Sequence, residues 1–274
     1  MLVKFNLNSS EYQINTLEGI DISIPLNFNG EQPNIYDVDK ASAKAFESSE
    51  FIGDTRKGGS CNFEEYKLIP HCNGTHTECV GHISDERIYV NETLKETFIP
   101  SALVTISPVR AVETGDNYSP HKVKEDRLIT KTSIENALKK LNAENFEGLI
   151  IRTLPNDDSK KSRRYSVNPP PFFSLEGMKL VKELNIRHLL VDIPSVDRAH
   201  DDGRLAVHHI YWGVTQGSHN VDKTNHSLNT ITEMIYVPDE VKDGIYLLNL
   251  QIAPFTADAS PSRPVIFKII EQNE

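Results

Sequence analysis

The sequence predicts an α/β fold, a single domain over residues 1–274 built on a mixed sheet. Three observations carry this expectation. Between residues 103 and 192, three short apolar runs alternate with two stretches of helical periodicity. Further strand-like runs lie on both sides of that region, and neither internal repeats nor heptads occur. At 274 residues the chain is long enough to bury one substantial core.

Taken in order, residues 21–26 (Asp-Ile-Ser-Ile-Pro-Leu) alternate polar with apolar and read as a strand, as do residues 63–69 less cleanly. Residues 27–60 form a long excursion rich in Asn, Gly, Ser and charge. Its only helical hint lies at 41–46, and such a segment is placed to cover a pocket. Residues 103–106 follow as a strand. A helix is expected from about Thr132, where Thr132 and Glu135 have capping-box spacing and Ile134, Ala137, Leu138 and Leu141 share one face. Residues 148–153 read as a buried strand, 174–184 as a second helix and 188–192 as another strand. The Pro-rich loop between the first two of these carries Lys160, Lys161, Arg163 and Arg164 and reads as a solvated surface. Strand signals return at 244–250 and 264–270, which makes the sheet mixed.

Composition bounds the function. Hydrophobic residues make up 38% and charged residues 25% of the chain, and mean hydropathy is -0.41, the balance of a soluble globular protein. A formal charge of -10 repels phosphate backbones and anionic bilayers, so neither nucleic acid nor membrane is expected as a partner. No apolar run approaches the roughly 18 residues of a membrane helix, and the first residues lack the pattern of an export signal. A cytoplasmic location is therefore expected. Three cysteines, Cys61, Cys72 and Cys79, cannot supply a disulfide framework, and Cys61 reads as a small buried apolar residue. No GxSxG elbow is present.

Chemistry concentrates at residues 70–82, where His71, Cys72, His76, Glu78, Cys79 and His82 lie close together. Imidazole, thiolate and carboxylate are the side chains that donate lone pairs to zinc, and Gly74 permits the tight turn that would converge them. This segment resembles the HxGTHxDxPxH signature of the kynurenine formamidase (cyclase) family. Gly74, Thr75, His76 and His82 match; Glu78 stands for Asp, Cys72 for the first histidine and Val80 for the proline. The likeness continues in order through residues 21–26, 148–153 and 190–197, then 206–210 and 231–234.

The resemblance implies a swivelling β/β/α domain and a metal-dependent hydrolase of a formamide, amide or cyclic amide, with N-formylkynurenine, an intermediate of tryptophan catabolism, as the small-molecule substrate. It also implies that Cys72, His76 and Glu78 hold one metal, that Glu78, His208 and Glu233 hold or share a second, and that His82 transfers the proton. One or two zinc ions are expected, with manganese as the alternative, in a homo-oligomer of two or four chains. A bound zinc lowers the pKa of its water to about 7, so a nucleophile is available without a serine.

Three departures bear on the site. Cys72 is not histidine, Glu78 is one methylene longer than Asp, and residues 213–225, with His219 and Asn220, extend the family pattern and are placed to remodel the pocket rim. His71 replaces Cys72 as ligand if the loop is shifted by one residue. His121, His188, His200, His209, His219 and His226 read as surface or satisfied core histidines, and Trp212 as a residue of the core or of the site wall. A non-catalytic metal-binding or scaffold protein is the competing class, and metal content with hydrolysis separates the two.

Overall fold

Four parallel strands, Phe98–Ile106, Gly148–Thr153, His188–Val191 and Thr230–Glu233, form the middle of the sheet in the computed structural model, which describes residues 1–7, 10–141 and 146–271. Strands buried on both faces need apolar residues at successive positions, and these runs have them. On one face Ala102, Val104, Leu149, Ile151, Leu189, Val191 and Ile231 pack with the helices. On the other, Leu103, Ile150 and Leu190 meet Ile22, Ile99, Ile235 and Leu248.

Antiparallel strands extend this centre both ways. His76–Glu78 pairs with Thr230–Glu233 and Ala259–Pro261 with His76–Glu78. On the opposite side come Gly244–Asn249, Val265–Lys268 and Ile20–Asp21. The result is a mixed sheet of nine strands with few helices, the α/β class expected. A smaller sheet joins Leu2–Leu7, Ser10–Asn15 and Ile270–Glu271. No helix among the described residues is long and apolar enough to cross a membrane.

The two expected helices are Lys131–Leu141 and Leu175–Glu183, and both bury an apolar face: Ile134 and Ala137 in the first, Met178 and Val181 in the second. The first is capped two residues earlier than the spacing of Thr132 and Glu135 suggests. Thr130 Oγ1 accepts from Ser133 N at 3.2 Å while Ser133 Oγ accepts from Thr130 N at 3.0 Å. In the second, Ser174 Oγ accepts from Gly177 N at 2.9 Å.

Several local expectations are corrected. Residues 41–46 are not helical, because so short a segment cannot repay helix nucleation; instead Ser42–Ala45 pairs with Glu64–Lys67. Of residues 21–26 only Asp21 lies in a regular strand, Ile20–Asp21, and Pro25 has no N–H to continue the ladder, yet Ile22 and Ile24 still alternate inward. Cys61 is exposed, not buried. The loop after Thr153 is not wholly solvated. Lys160 is buried and donates to Thr153 O and, at 2.7 Å, to Asp192 Oδ2. The segment 206–210 belongs to a helix, Ala206–Trp212.

His188 is a core histidine bonded on one ring nitrogen only, since its Nε2 is buried without a hydrogen-bond partner. Its Nδ1 lies 2.9 Å from Thr230 Oγ1, and burial depresses its pKa to about 4 against Glu96's opposing charge. Because the unfolded chain binds this proton more readily, His188 leaves stability intact above pH 6.5 and erodes it as pH falls toward 4. His188→Gln is expected to lose about 2 kcal/mol less stability than the parent between pH 7 and pH 4.5, measured by urea unfolding at both pH values. Equal losses would show that His188 titrates normally in the fold.

Candidate metal centre and active site

The site is built on the three-residue strand His76–Glu78. Alternation along a strand puts His76 and Glu78 on one face and Thr77 on the other, where its Oγ1 lies 2.8 Å from Thr232 Oγ1. Cross-strand register sets Glu233 directly opposite His76 and Ala259 opposite Glu78. His76, Glu78 and Glu233 thus converge because two neighbouring strands deliver them to the same patch. Thr75 fastens this corner: its hydroxyl donates to Met234 O and accepts from Ile24 N at 2.8 Å. Met234 itself sits at φ 54°, a left-handed conformation that costs a residue with a Cβ on the order of 1–3 kcal/mol and turns the chain immediately after Glu233.

Two further elements complete the cluster. The helix Ala206–Trp212 brings His208, with Nε2 3.1 Å from Glu78 Oε1 and 4.0 Å from Glu233 Oε1. Asp197 lies behind it, accepting from His208 Nδ1 at 2.6 Å, from the backbone N–H of Val207 and His208, and from the Tyr118 hydroxyl. A 3-10 turn, Val80–Ile83, carries His82, whose Nδ1 is 3.8 Å from Glu78 Oε2 and 3.4 Å from Asp258 Oδ2. Gly81 is required there, since a Cβ would fall 2.2 Å from Ile88 O. Trp212 is both core and wall: it is buried, and its ring centroid lies 5.3 Å from that of His208.

The electrostatics follow from burial. Glu78 is completely buried, which favours its neutral form, but His82, His208 and His71 outweigh this and hold its pKa well below the usual carboxylate range. Burial likewise opposes charge on His208, while the bonds to Asp197 and Glu78 raise its pKa well above 6.5. Burial and then the charge of Glu233 push the Tyr36 hydroxyl up to about 12, so this half-exposed aromatic stands neutral at the rim, its ring against His200.

The donor set fits a divalent cation. His76 Nδ1 donates to Gly74 O at 3.0 Å, leaving the Nε2 lone pair facing Glu233 Oε2 at 3.4 Å. Both His76 Nε2 and Glu78 Oε2 are buried without a hydrogen-bond partner, an arrangement that is costly unless a cation fills the gap. Donor atoms of His71, His76 and Glu78, and again of Glu78, His82 and His208, lie within 4.8 Å of one another.

Of the residues singled out from sequence, the structure brings His76, Glu78, His82, His208 and Glu233 together. Cys72 is in none of these donor clusters. It packs with Ile35 and Tyr165, and burial, then the charge of Glu233, pushes its thiol up to about 11. Sequence reasoning missed Asp197 and Asp258 as site residues. Asp197 lay at the end of a stretch already noted for its resemblance; Asp258 had no local signal. Within residues 213–225, His219 Nδ1 lies 2.9 Å from the carbonyl oxygen of Ile83, the residue after His82.

Residues 20–198 match the model of the cyclase family, a span that contains the strand His76–Glu78 and Asp197. The chain belongs to the cyclase family. Among curated members, the kynurenine formamidase of Bacillus cereus (strain ATCC 10987 / NRS 248) is 28% identical over 263 residues, covering 92% of this chain and 98% of that one. Among solved structures, isatin hydrolase A from Labrenzia aggregata aligns with a TM-score of 0.60 at 15% identity, over 91% of this chain and 93% of that one. A predicted metal-dependent hydrolase from Bacillus stearothermophilus aligns with a TM-score of 0.55 at 15% identity, over 91% and 98%. At such identities the structural likeness establishes the fold this cyclase-family chain shares with them.

A carboxylate behind a ligating histidine fixes its tautomer and orientation, and loss of such a partner typically costs 10–100-fold in metal affinity. In this family member, Asp197→Asn is expected to weaken zinc binding within that range, measured by competition against a chromophoric chelator, with the fold retained by circular dichroism. An unchanged affinity would remove His208 from the donor set.

Proposed function

We propose that this chain is a metal-dependent hydrolase of a formamide, amide or cyclic amide bond, with N-formylkynurenine as the substrate of first choice. The observation that carries this reading is the convergence of unpartnered His76 Nε2 and Glu78 Oε2 in a buried space bounded by Glu233 and His208. Kynurenine formamidases at 26–28% identity over nearly their whole length, and structural neighbours named isatin hydrolase, support the choice of an amide bond next to an aromatic ring.

His76, Glu78, His208 and Glu233 are the side chains that would hold the cation, zinc or manganese, and Glu78, at their centre, is placed to serve two ions if two are bound. When bound, such an ion supplies an activated water near neutral pH and polarises the carbonyl under attack. The remaining work belongs to the protein. His82 is about a quarter exposed, so it reaches both the buried cluster and the substrate side. An imidazole so placed can take a proton from the attacking water and return it to the departing amine. Asp258 and Glu78 steady its Nδ1, leaving Nε2 for the transfer. Tyr36 and Trp212 offer aromatic surface beside the site. Small variation at this rim, including the extension at 213–225, is where a cyclic amide would be distinguished from a formamide.

The test is elemental analysis of the purified protein together with hydrolysis of aryl formamides and of isatin, with and without added zinc or manganese. Absence of bound transition metal and of hydrolysis under all these conditions overturns the proposal in favour of a non-catalytic role. Glu78→Ala is expected to abolish metal retention and turnover together, more severely than loss of any other single donor. His82→Ala should keep its metal and lose about 10²- to 10⁴-fold in turnover, the usual range for removal of a general acid or base. Loss of metal in that variant would recast His82 as a ligand.

A further inference from the structure

We infer that His71, oriented from behind by Asp258, is the donor that completes the centre where the family motif has its first histidine, and that Cys72 does not bind the metal. The inference rests on the metal-dependent reading above but names residues that reading leaves open.

The geometry of His71 repeats that of His208. In His208, Nδ1 is 2.6 Å from Asp197 Oδ2 and Nε2 is 3.1 Å from Glu78 Oε1. In His71, Nε2 is 2.9 Å from Asp258 Oδ2 and Nδ1 is 3.0 Å from Glu78 Oε2. Each imidazole is therefore anchored on its far nitrogen by a carboxylate and directs its near nitrogen at one oxygen of the same Glu78. The approach of His71 Nδ1 lacks hydrogen-bond geometry, because Glu78 Oε2 stays without a hydrogen-bond partner despite the short separation. Two lone-pair atoms so placed can share a divalent cation. The His71 and His76 rings stand 5.1 Å apart at 75°, and the donor atoms of His71, His76 and Glu78 lie within 4.8 Å of one another.

The local fold explains the choice between neighbours. Pro70 opens the one-turn helix Pro70–Asn73, and Asn73 Oδ1 accepts from Ile69 N at 2.8 Å to fix it. Successive residues on a helix point about 100° apart, so His71 and Cys72 cannot both face Glu78. His71 does, and Cys72 turns toward Ile35 and Tyr165, with Val38 and Ala199 beside them. Asp258 reaches His71 because it immediately precedes Ala259, which is paired in register with Glu78, and because Cys79 N donates to Asp258 O at 3.0 Å. Asp258 is thus a positioning residue for His71, and its contact with His82 ties the same carboxylate to the proton-transfer side. A donor set of imidazole and carboxylate without thiolate carries no strong bias to soft metals, so manganese should compete with zinc better than at a cysteine-containing site.

Cobalt(II) replacement of the metal in the full chain separates the two possibilities. The cobalt protein is expected to lack the intense near-ultraviolet thiolate-to-cobalt absorption, and Cys72→Ser should bind cobalt and zinc with unchanged affinity. His71→Ala should bind at least 10-fold more weakly and Asp258→Asn 10–100-fold more weakly, with altered visible cobalt bands in both. Should His71→Ala fail to fold, His71→Gln and the spectrum of the unsubstituted chain still decide. A thiolate band that Cys72→Ser removes, or parental affinity in the folded His71 variant, overturns the inference, as does failure of the chain to bind cobalt or zinc at all. Metal binding with the expected spectra but no amide hydrolysis would instead uphold this ligand set and refute the proposed activity.

Discussion

A carboxylate with no access to solvent lies at the centre of this molecule, and most of the surrounding structure answers to it. Glu78 sits on a short strand between two antiparallel neighbours, where burying a charge costs several kcal/mol unless the charge is compensated. Compensation comes from His71, His82 and His208, drawn from three separate elements. Each of those imidazoles needs support of its own, which Asp197 and Asp258 provide. The site is a nest of charges in which every member is held by the next, and removal of any one leaves a buried group without its partner.

Rigid apolar packing makes that arrangement tenable. The parallel strands bury both faces, and their alternation between two cores fixes register, because a slip of one residue would exchange the faces. Register then determines that Glu233 faces His76 and not its neighbour. Where the chain leaves this lattice, Met234 takes a left-handed φ directly after Glu233, and Gly81 before His82 lies too close to Ile88 O to carry a side chain. Both lie beside reactive side chains, as expected if precise placement is what the surrounding contacts secure.

The chemistry this permits is governed by which atoms are left over. A buried histidine with a bonded Nδ1 and an idle Nε2, close to a second buried atom equally idle, Glu78 Oε2, is poorly accounted for by a protein-only network. The same set of groups, imidazoles and carboxylates together, is what hard and borderline divalent cations select. Against that background the substitution of Cys72 in the motif is less disruptive than the sequence suggests. The fold offers a histidine one residue earlier, on the correct side of a one-turn helix.

By itself the sequence determined the elements whose stability is local. The apolar stripe of Lys131–Leu141, the buried run Gly148–Thr153 and the i, i+2 spacing of His76 and Glu78 were legible because each is a periodicity in neighbouring residues. What only the tertiary structure decided are partnerships between residues distant in sequence. Ser42–Ala45 becomes a strand because Glu64–Lys67 lies beside it, and Lys160 becomes buried because Asp192 waits inside. His71 faces the centre and Cys72 the apolar side because Asp258, from the other end of the chain, is brought to hold one of them. Spacing along a chain encodes which face of an element a side chain occupies, but a charge or lone pair acquires its role only from what folding sets against it.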